Sequence, residues 1–163
     1  RETIDHLYSS DLGRALETAR IIAARTGHRV RVEPRLRERN FGVGEGLTCG
    51  ELDHEYPEVF SRVRETDPDY EIPGGESRRQ HYDRVGAAFE ALARAHPGGT
   101  LAVVCHGGVL AAFYRRIHGI AIAAPHPIPI PNAAFNVVAR EGASWSVLAW
   151  GDTAHLDAAP AMP

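Results

Sequence analysis

The sequence predicts an α/β fold, a three-layer α/β/α sandwich around a mostly parallel sheet, and three observations carry that expectation. Strand-like and helix-like stretches alternate: strand, helix, strand, then helices, strand, helix and a closing hairpin. An apolar, β-branched run, Thr100-Leu101-Ala102-Val103-Val104, ends in Cys105-His106-Gly107-Gly108 and passes at once into an amphipathic helical pattern. It reads as a buried strand delivering His106 to the mouth of a helix, where free N–H groups and partial positive charge favour an anion. Finally, 163 residues suit one domain, and 24% charged with 44% apolar residues is ordinary for a soluble globular chain. Ligands of such sheets sit beyond the carboxyl ends of the strands, where His106 stands.

The elements follow in order. Residues 4–8 form a short strand or the approach to one, and Ser9-Ser10-Asp11 offers side-chain oxygens to cap a helix. Leu12, Ala15, Leu16, Ala19, Ile22 and Ala23 recur at helical steps, and Gly27 ends that helix. Val30 and Val32 alternate with arginines in a short strand closed by Pro34. Residues 36–46 hold three glycines at alternate positions. No buried strand leads in, so this is a functional loop with a permissive backbone and not a dinucleotide fingerprint. Residues 48–56 and 57–65 read as two short helices, with Pro57 in a first turn. Residues 67–75 form a surface loop before a helix over 77–96, whose buried stripe is Tyr82, Val85, Phe89, Leu92 and Ala93. The helix after His106 runs over 108–118. Pro125, Pro127, Pro129 and Pro131 make 120–131 an extended connection. Residues 133–139 and 145–150 form a hairpin around Glu141-Gly142-Ala143-Ser144, and 157–163 is a loose tail.

Composition excludes several classes. Net charge is −3, so no basic field points to nucleic acid or a membrane surface, and no apolar run approaches the roughly 20 residues of a membrane helix. Cys49 and Cys105 make no disulfide framework, and a reducing, cytoplasmic setting is the default. The histidines other than His106 show no metal-ligand spacing, so no metal and no cofactor is expected. All 18 basic residues are arginine, so position and not residue type must argue for any phosphate contact. The chain starts at Arg1 and its single methionine is Met162, from which we expect that its natural beginning is missing.

Three stretches are chemically loaded. Arg14 stands near a helix start, where a cation opposes the dipole unless an anion lies between them; a solvated arginine is the alternative. Glu38 stands in the glycine-rich loop. A bound phosphate would push its carboxylate toward the protonated form, ready to donate to a leaving oxygen, while pairing with Arg37 or Arg39 is the bland reading. His106 stands at the junction of strand, glycines and helix, and that position favours a functional role.

Together Tyr8 to Ala19, Leu36 to Gly46, Pro73-Gly74-Gly75-Glu76-Ser77 and Val103 to Gly108 resemble the histidine phosphatase superfamily, in family order and over nearly the whole chain. That resemblance implies a phosphohistidine mechanism, in which the histidine of an N-terminal Arg-His-Gly motif attacks phosphorus. It implies that Arg14 holds phosphate oxygens with support from the Gly107 N–H, that Glu38 is the proton donor, and that His106 stabilises the transferring group. Arg-His-Gly is absent from these residues, so the expected domain spans 1–163 without its first strand and helix, and the attacking histidine is expected before Arg1. The short run from Gly46 to Pro73 and the Pro-Gly-Gly-Glu-Ser stretch resemble the phosphatase branch more than the mutases.

The expected activity is therefore hydrolysis of small phosphate monoesters. A 2,3-bisphosphoglycerate-dependent phosphoglycerate mutase is the first alternative, and a non-catalytic phosphate-binding protein the second. Arg62, Arg64, Arg78 and Arg79 are weaker candidates for meeting an anionic substrate, a solvated face being the stronger reading. A homodimer would use the proline-rich connection or the hairpin.

Overall fold

The computed structural model describes residues 3–125 and 128–157. It opens with β1 (His6–Ser9), α1 (Gly13–Thr26) and β2 (Val30–Val32). Helices α2 (Cys49–Glu55), α3 (Pro57–Arg64) and α4 (Arg78–Ala95) precede β3 (Leu101–Val104) and α5 (Gly107–His118). The pair β4 (Phe135–Glu141) and β5 (Ser144–Asp152) and the short α6 (Ala154–Asp157) follow. The central sheet is parallel, in the order β2-β1-β3, with Tyr8 opposite both Arg31 and Val103.

This topology decides the layers. The chain steps one way across the sheet from β1 to β2 and back the other way to β3, so right-handed crossovers set α1 on one face and α4 on the other. Alternation along the strands agrees. Tyr8, Leu101 and Val103 pack against the main core, in which Val85, Phe89 and Leu92 of α4 meet Val109, Ala112 and Phe113 of α5. Leu7, 1% exposed, points the other way, and α1 buries Ala15 and Ala19 against the strands. The α/β class read from the sequence is present, with three parallel strands.

Two features add to or correct the sequence reading. The hairpin forms its own two-stranded antiparallel sheet and does not extend the parallel one. It docks on the helices: Phe89 and Phe113 stack at 3.9 Å, Trp145 meets both edge-on, and its Nε1 donates to Glu90 Oε1 at 2.6 Å. Accordingly β3 is half-buried where a buried strand was expected, because only its β1 edge has a strand partner among the described residues. Gly142, at φ 59°, opens the two-residue hairpin loop as a primed turn requires.

Gly27 and Gly119 end α1 and α5 in the left-handed conformation, each returning its N–H to a carbonyl four residues back. Between Ile120 and Pro131 the described residues join no strand, and the middle of that connection, 126–127, lies outside them, as does 158–163 of the expected tail. Among the described residues no helix is long and apolar enough to cross a membrane.

Candidate active site

Because β1 and β3 are parallel neighbours, their carboxyl ends emerge side by side. Ser9 lies opposite Val104, and the Ser10 N–H donates to the Val104 carbonyl at 3.0 Å. This register brings the first turns of α1 and α5 to one corner. His106 is the N-cap of α5 in extended conformation, and its side chain makes no cap bond. Instead its Nε2 shares a 2.8 Å hydrogen bond with Ser10 Oγ, both residues being buried. Burial, and after it the Arg14 cation, hold the imidazole below its usual pKa, which leaves it neutral.

The expectation that Ser9-Ser10-Asp11 caps α1 needs correction. The N-cap is Leu12, with no side-chain cap. Ser10 Oγ reaches only the Leu12 N–H at 3.2 Å because it is already turned to His106. Asp11 is taken by Arg37, whose Nε and Nη2 donate at 2.6 and 2.5 Å; those bonds hold the carboxyl below the ordinary range. Arg14, in the first turn, is exposed and has no side-chain partner among the described residues.

Glu38 lies across the mouth of α5. Its Oε2 accepts the Gly108 N–H at 2.8 Å and its Oε1 the Arg39 N–H at 2.9 Å. A Cβ on residue 108 would fall on this carboxylate, so the approach requires glycine. The Gly107 N–H finds no acceptor among the described residues. Pairing with Arg37 or Arg39 side chains, the bland reading of Glu38, is not what holds it: Arg37 is spent on Asp11, and Arg39 Nε donates to the Glu76 carbonyl.

The loop carrying Glu38 is clamped from behind. Arg84 of α4 donates to the carbonyls of Arg35, Arg37 and Glu38 at 2.7, 3.0 and 3.3 Å, and pairs with Glu76. Burial raises the Glu76 carboxyl, but the Arg84 bonds and the Asn40 N–H outweigh it and leave the pKa low. Gly42 packs so tightly on Pro73 and Gly75 that neither glycine has room for a side chain. The glycine loop and the Pro-Gly-Gly-Glu-Ser stretch are thus one rigid support for Glu38.

His106, Glu38, Gly107 and Arg14 therefore meet in one corner, Arg14 through its charge on His106. Of the weaker candidates, Arg62 pairs with Glu65 and Asp67, Arg79 with Asp69, and Arg64 lies over the Phe60 ring, while Arg78 acts through its charge on Arg39 and Arg115, adding to the burial that lowers the pKa of both. Cys105 follows β3, and burial pushes its thiol up to about 12, so it is inert. Sequence reasoning missed Ser10, Glu76, His81 and Arg84. The last two had a signal, since they fall on the same stripe of α4 as Val85, Ala88 and Leu92 and so put polar groups on a buried face. His81 is 5% exposed, and its Nε2, 3.9 Å from Glu38 Oε1, has no hydrogen-bond partner.

Comparison with known proteins bears on this corner. Residues 1–153 match the model of the histidine phosphatase superfamily (branch 1). The chain is 38% identical over 159 residues to phosphoglycerate mutase-like protein 4 of Arabidopsis thaliana, covering 96% of this chain and 68% of that one. It is 40% identical over 152 residues to a metal-independent phosphoserine phosphatase of the same plant, covering 92% and 62%. Among solved structures, Bacillus stearothermophilus YhfR superimposes with a TM-score of 0.86 at 26% identity, covering 94% of this chain and 76% of that one. A mycobacterial glucosyl-3-phosphoglycerate phosphatase solved with inorganic phosphate gives 0.76 at 30%, covering 91% and 77%.

Proposed function

The chain belongs to branch 1 of the histidine phosphatase superfamily, and from that premise we propose that it hydrolyses small phosphate monoesters through a phosphohistidine, without metal. One observation carries the reading. A carboxylate, Glu38, is seated on a backbone N–H at the mouth of α5, directly after a buried neutral histidine at the N-cap. The names of relatives, a metal-independent phosphoserine phosphatase and a glucosyl-3-phosphoglycerate phosphatase, support the reaction class.

In this reading the phosphoryl oxygens lie between the Arg14 guanidinium, the Gly107 N–H and the His106 ring. These groups match charge that spreads over the equatorial oxygens in the transition state. The attacking imidazole nitrogen forms an N–P bond as the ester P–O bond breaks, and Glu38 passes its proton to the departing oxygen. Water then attacks phosphorus, the N–P bond breaks, and the water proton returns to Glu38. Arg-His-Gly does not occur in the 163 residues, so this reading assigns the attack to a histidine that they do not include. The substrate is a small phosphorylated molecule. We place the protein in the cytoplasm, without nucleic-acid or membrane partners.

The test uses a protein with an Arg-His-Gly segment ahead of residue 1. It is expected to hydrolyse p-nitrophenyl phosphate in excess EDTA and to carry acid-labile label from a phosphorylated substrate. Activity abolished by EDTA contradicts the metal-free mechanism. The mutase-like relative keeps a second reading in view; turnover that requires added 2,3-bisphosphoglycerate decides for it. Phosphate binding with no turnover decides for a binding protein.

A further inference from the structure

Glu38 borders the place that the proposed phosphoryl group takes. Its Oε2 sits on the Gly108 N–H, the donor next to the free Gly107 N–H. An arriving dianion competes for this mouth and repels the carboxylate, so Glu38 needs a second seat close by. His81 lies on α4, directly behind the carboxyl. It is 5% exposed, its Nε2 has no partner, and that atom is 3.9 Å from Glu38 Oε1. A buried polar group left unpaired carries a cost of about 1–3 kcal/mol, which the fold tolerates here.

We infer that His81 is a positioning residue for Glu38, its Nε2–H receiving Oε1 when a phosphoryl group takes the mouth of α5. The inference rests on the reading of Glu38 as proton donor. A carboxyl movement of about 1 Å turns the present contact into a hydrogen bond. The carboxyl pivots about the Arg39 N–H, which already holds Oε1 at 2.9 Å. With two donors on Oε1, the transferable proton is confined to Oε2, the oxygen that faces the mouth. Burial and the Arg84 cation keep His81 neutral, with its pKa pushed down to about 4, so it offers an N–H and not a charge. The surrounding charges, Arg84 paired with Glu76 and Arg39 alongside, stay fixed through this movement because Arg84 is tied to three loop carbonyls.

The test compares two substrates in the active protein. An alkyl monophosphate needs its leaving oxygen protonated, whereas p-nitrophenyl phosphate leaves well without help. His81→Leu is expected to slow the alkyl ester about tenfold, the worth of one hydrogen bond to a charged group, and to change the nitrophenyl ester by no more than about twofold. His81→Gln, whose amide donates from nearly the same place, restores the alkyl rate to within about threefold. In a Glu38→Gln background, His81→Leu adds nothing. Equal slowing of both substrates, no slowing, or a Gln variant as slow as Leu overturns the inference. Should His81→Leu fail to fold, His81→Met supplies bulk without a donor and is read the same way. Glu38→Gln separates the two levels: if it spares the alkyl ester, the proton-donor reading falls and the inference with it. If it slows that ester selectively while the Leu variant is silent, the inference alone is overturned.

Discussion

Helices α2 and α4 each begin with a complete capping box, Thr48 with Glu51 and Ser77 with Gln80, whereas α1 and α5 begin with no side-chain cap at all. A cap is worth about 0.5–2 kcal/mol, so two uncapped starts are a measurable sacrifice. The two capped helices flank the surface loops. Among the helices without a side-chain cap, α1 and α5 spring from the adjacent parallel strands β1 and β3 and open at one corner, while α3 starts elsewhere with Pro57 in its first turn. The α1 and α5 starts also differ from each other: α5 carries the Glu38 carboxylate on Gly108, while α1 has no acid in its first turn and presents Arg14. In the proposed reading, the starts of α1 and α5 keep their N–H donors for a phosphoryl group, whereas Thr48 and Ser77 satisfy those of α2 and α4.

The largest expected effect comes at the uncapped mouth itself. His106→Ala is expected to lower turnover by about 10²–10³-fold with a stability loss near 1 kcal/mol, measured by steady-state kinetics and denaturant melts. Unchanged turnover removes His106 from the site.

A second prediction concerns acid. His81 sits below its ordinary value of 6.5, at about 4, so as pH falls the unfolded chain takes up the proton first. Stability should drop between those two values by on the order of 3 kcal/mol and level off below. His106, also lowered by burial, adds a loss of the same sign. Denaturant melts across that range should be flatter for His81→Leu than for the parent; parallel curves contradict the assignment.

Gly108→Ala tests the close approach directly. The new methyl displaces Glu38 from α5, and hydrolysis of alkyl esters should fall about 10- to 100-fold, with a stability loss of about 1 kcal/mol in denaturant melts as the Gly108 N–H loses its charged acceptor. Arg14→Ala should raise KM about tenfold, and a thermal melt should show an unchanged or slightly higher midpoint, because removing a cation from a helix start gains about 0.3–1 kcal/mol. The smallest effect belongs to the contrasting class of helix. Thr48→Ala should cost about 1 kcal/mol in denaturant melts and leave kcat/KM as it was.

Much of this was legible before the structure. The helical periods with their glycine stops fixed α1 and α5, and the strand run ending in His106-Gly107-Gly108 announced a helix mouth. Order and spacing in stretches that resemble the family single out Glu38, Arg14 and Gly107 as candidates, and the structure brings Glu38 and Gly107 to the mouth of α5. What stayed hidden was tertiary. The role of Ser10 as partner to His106 depends on the register of β1 against β3, which no local pattern encodes. Arg84 falls on the buried stripe of α4, but its reach back 46 to 49 residues to the Glu38 loop is a contact that helical periodicity does not encode. That the hairpin stands as a separate sheet is not legible, because alternation predicts a strand but not which edge it joins.

The central claim is that the uncapped starts of α1 and α5 hold a phosphoryl group, and amide NMR of the 163-residue chain titrated with inorganic phosphate tests it most directly. The account predicts the largest shifts at Gly13, Arg14, Gly107 and Gly108, with the capped starts of α2 and α4 silent. Shifts concentrated at α2 or α4, or none at Gly107 and Gly108, would contradict it.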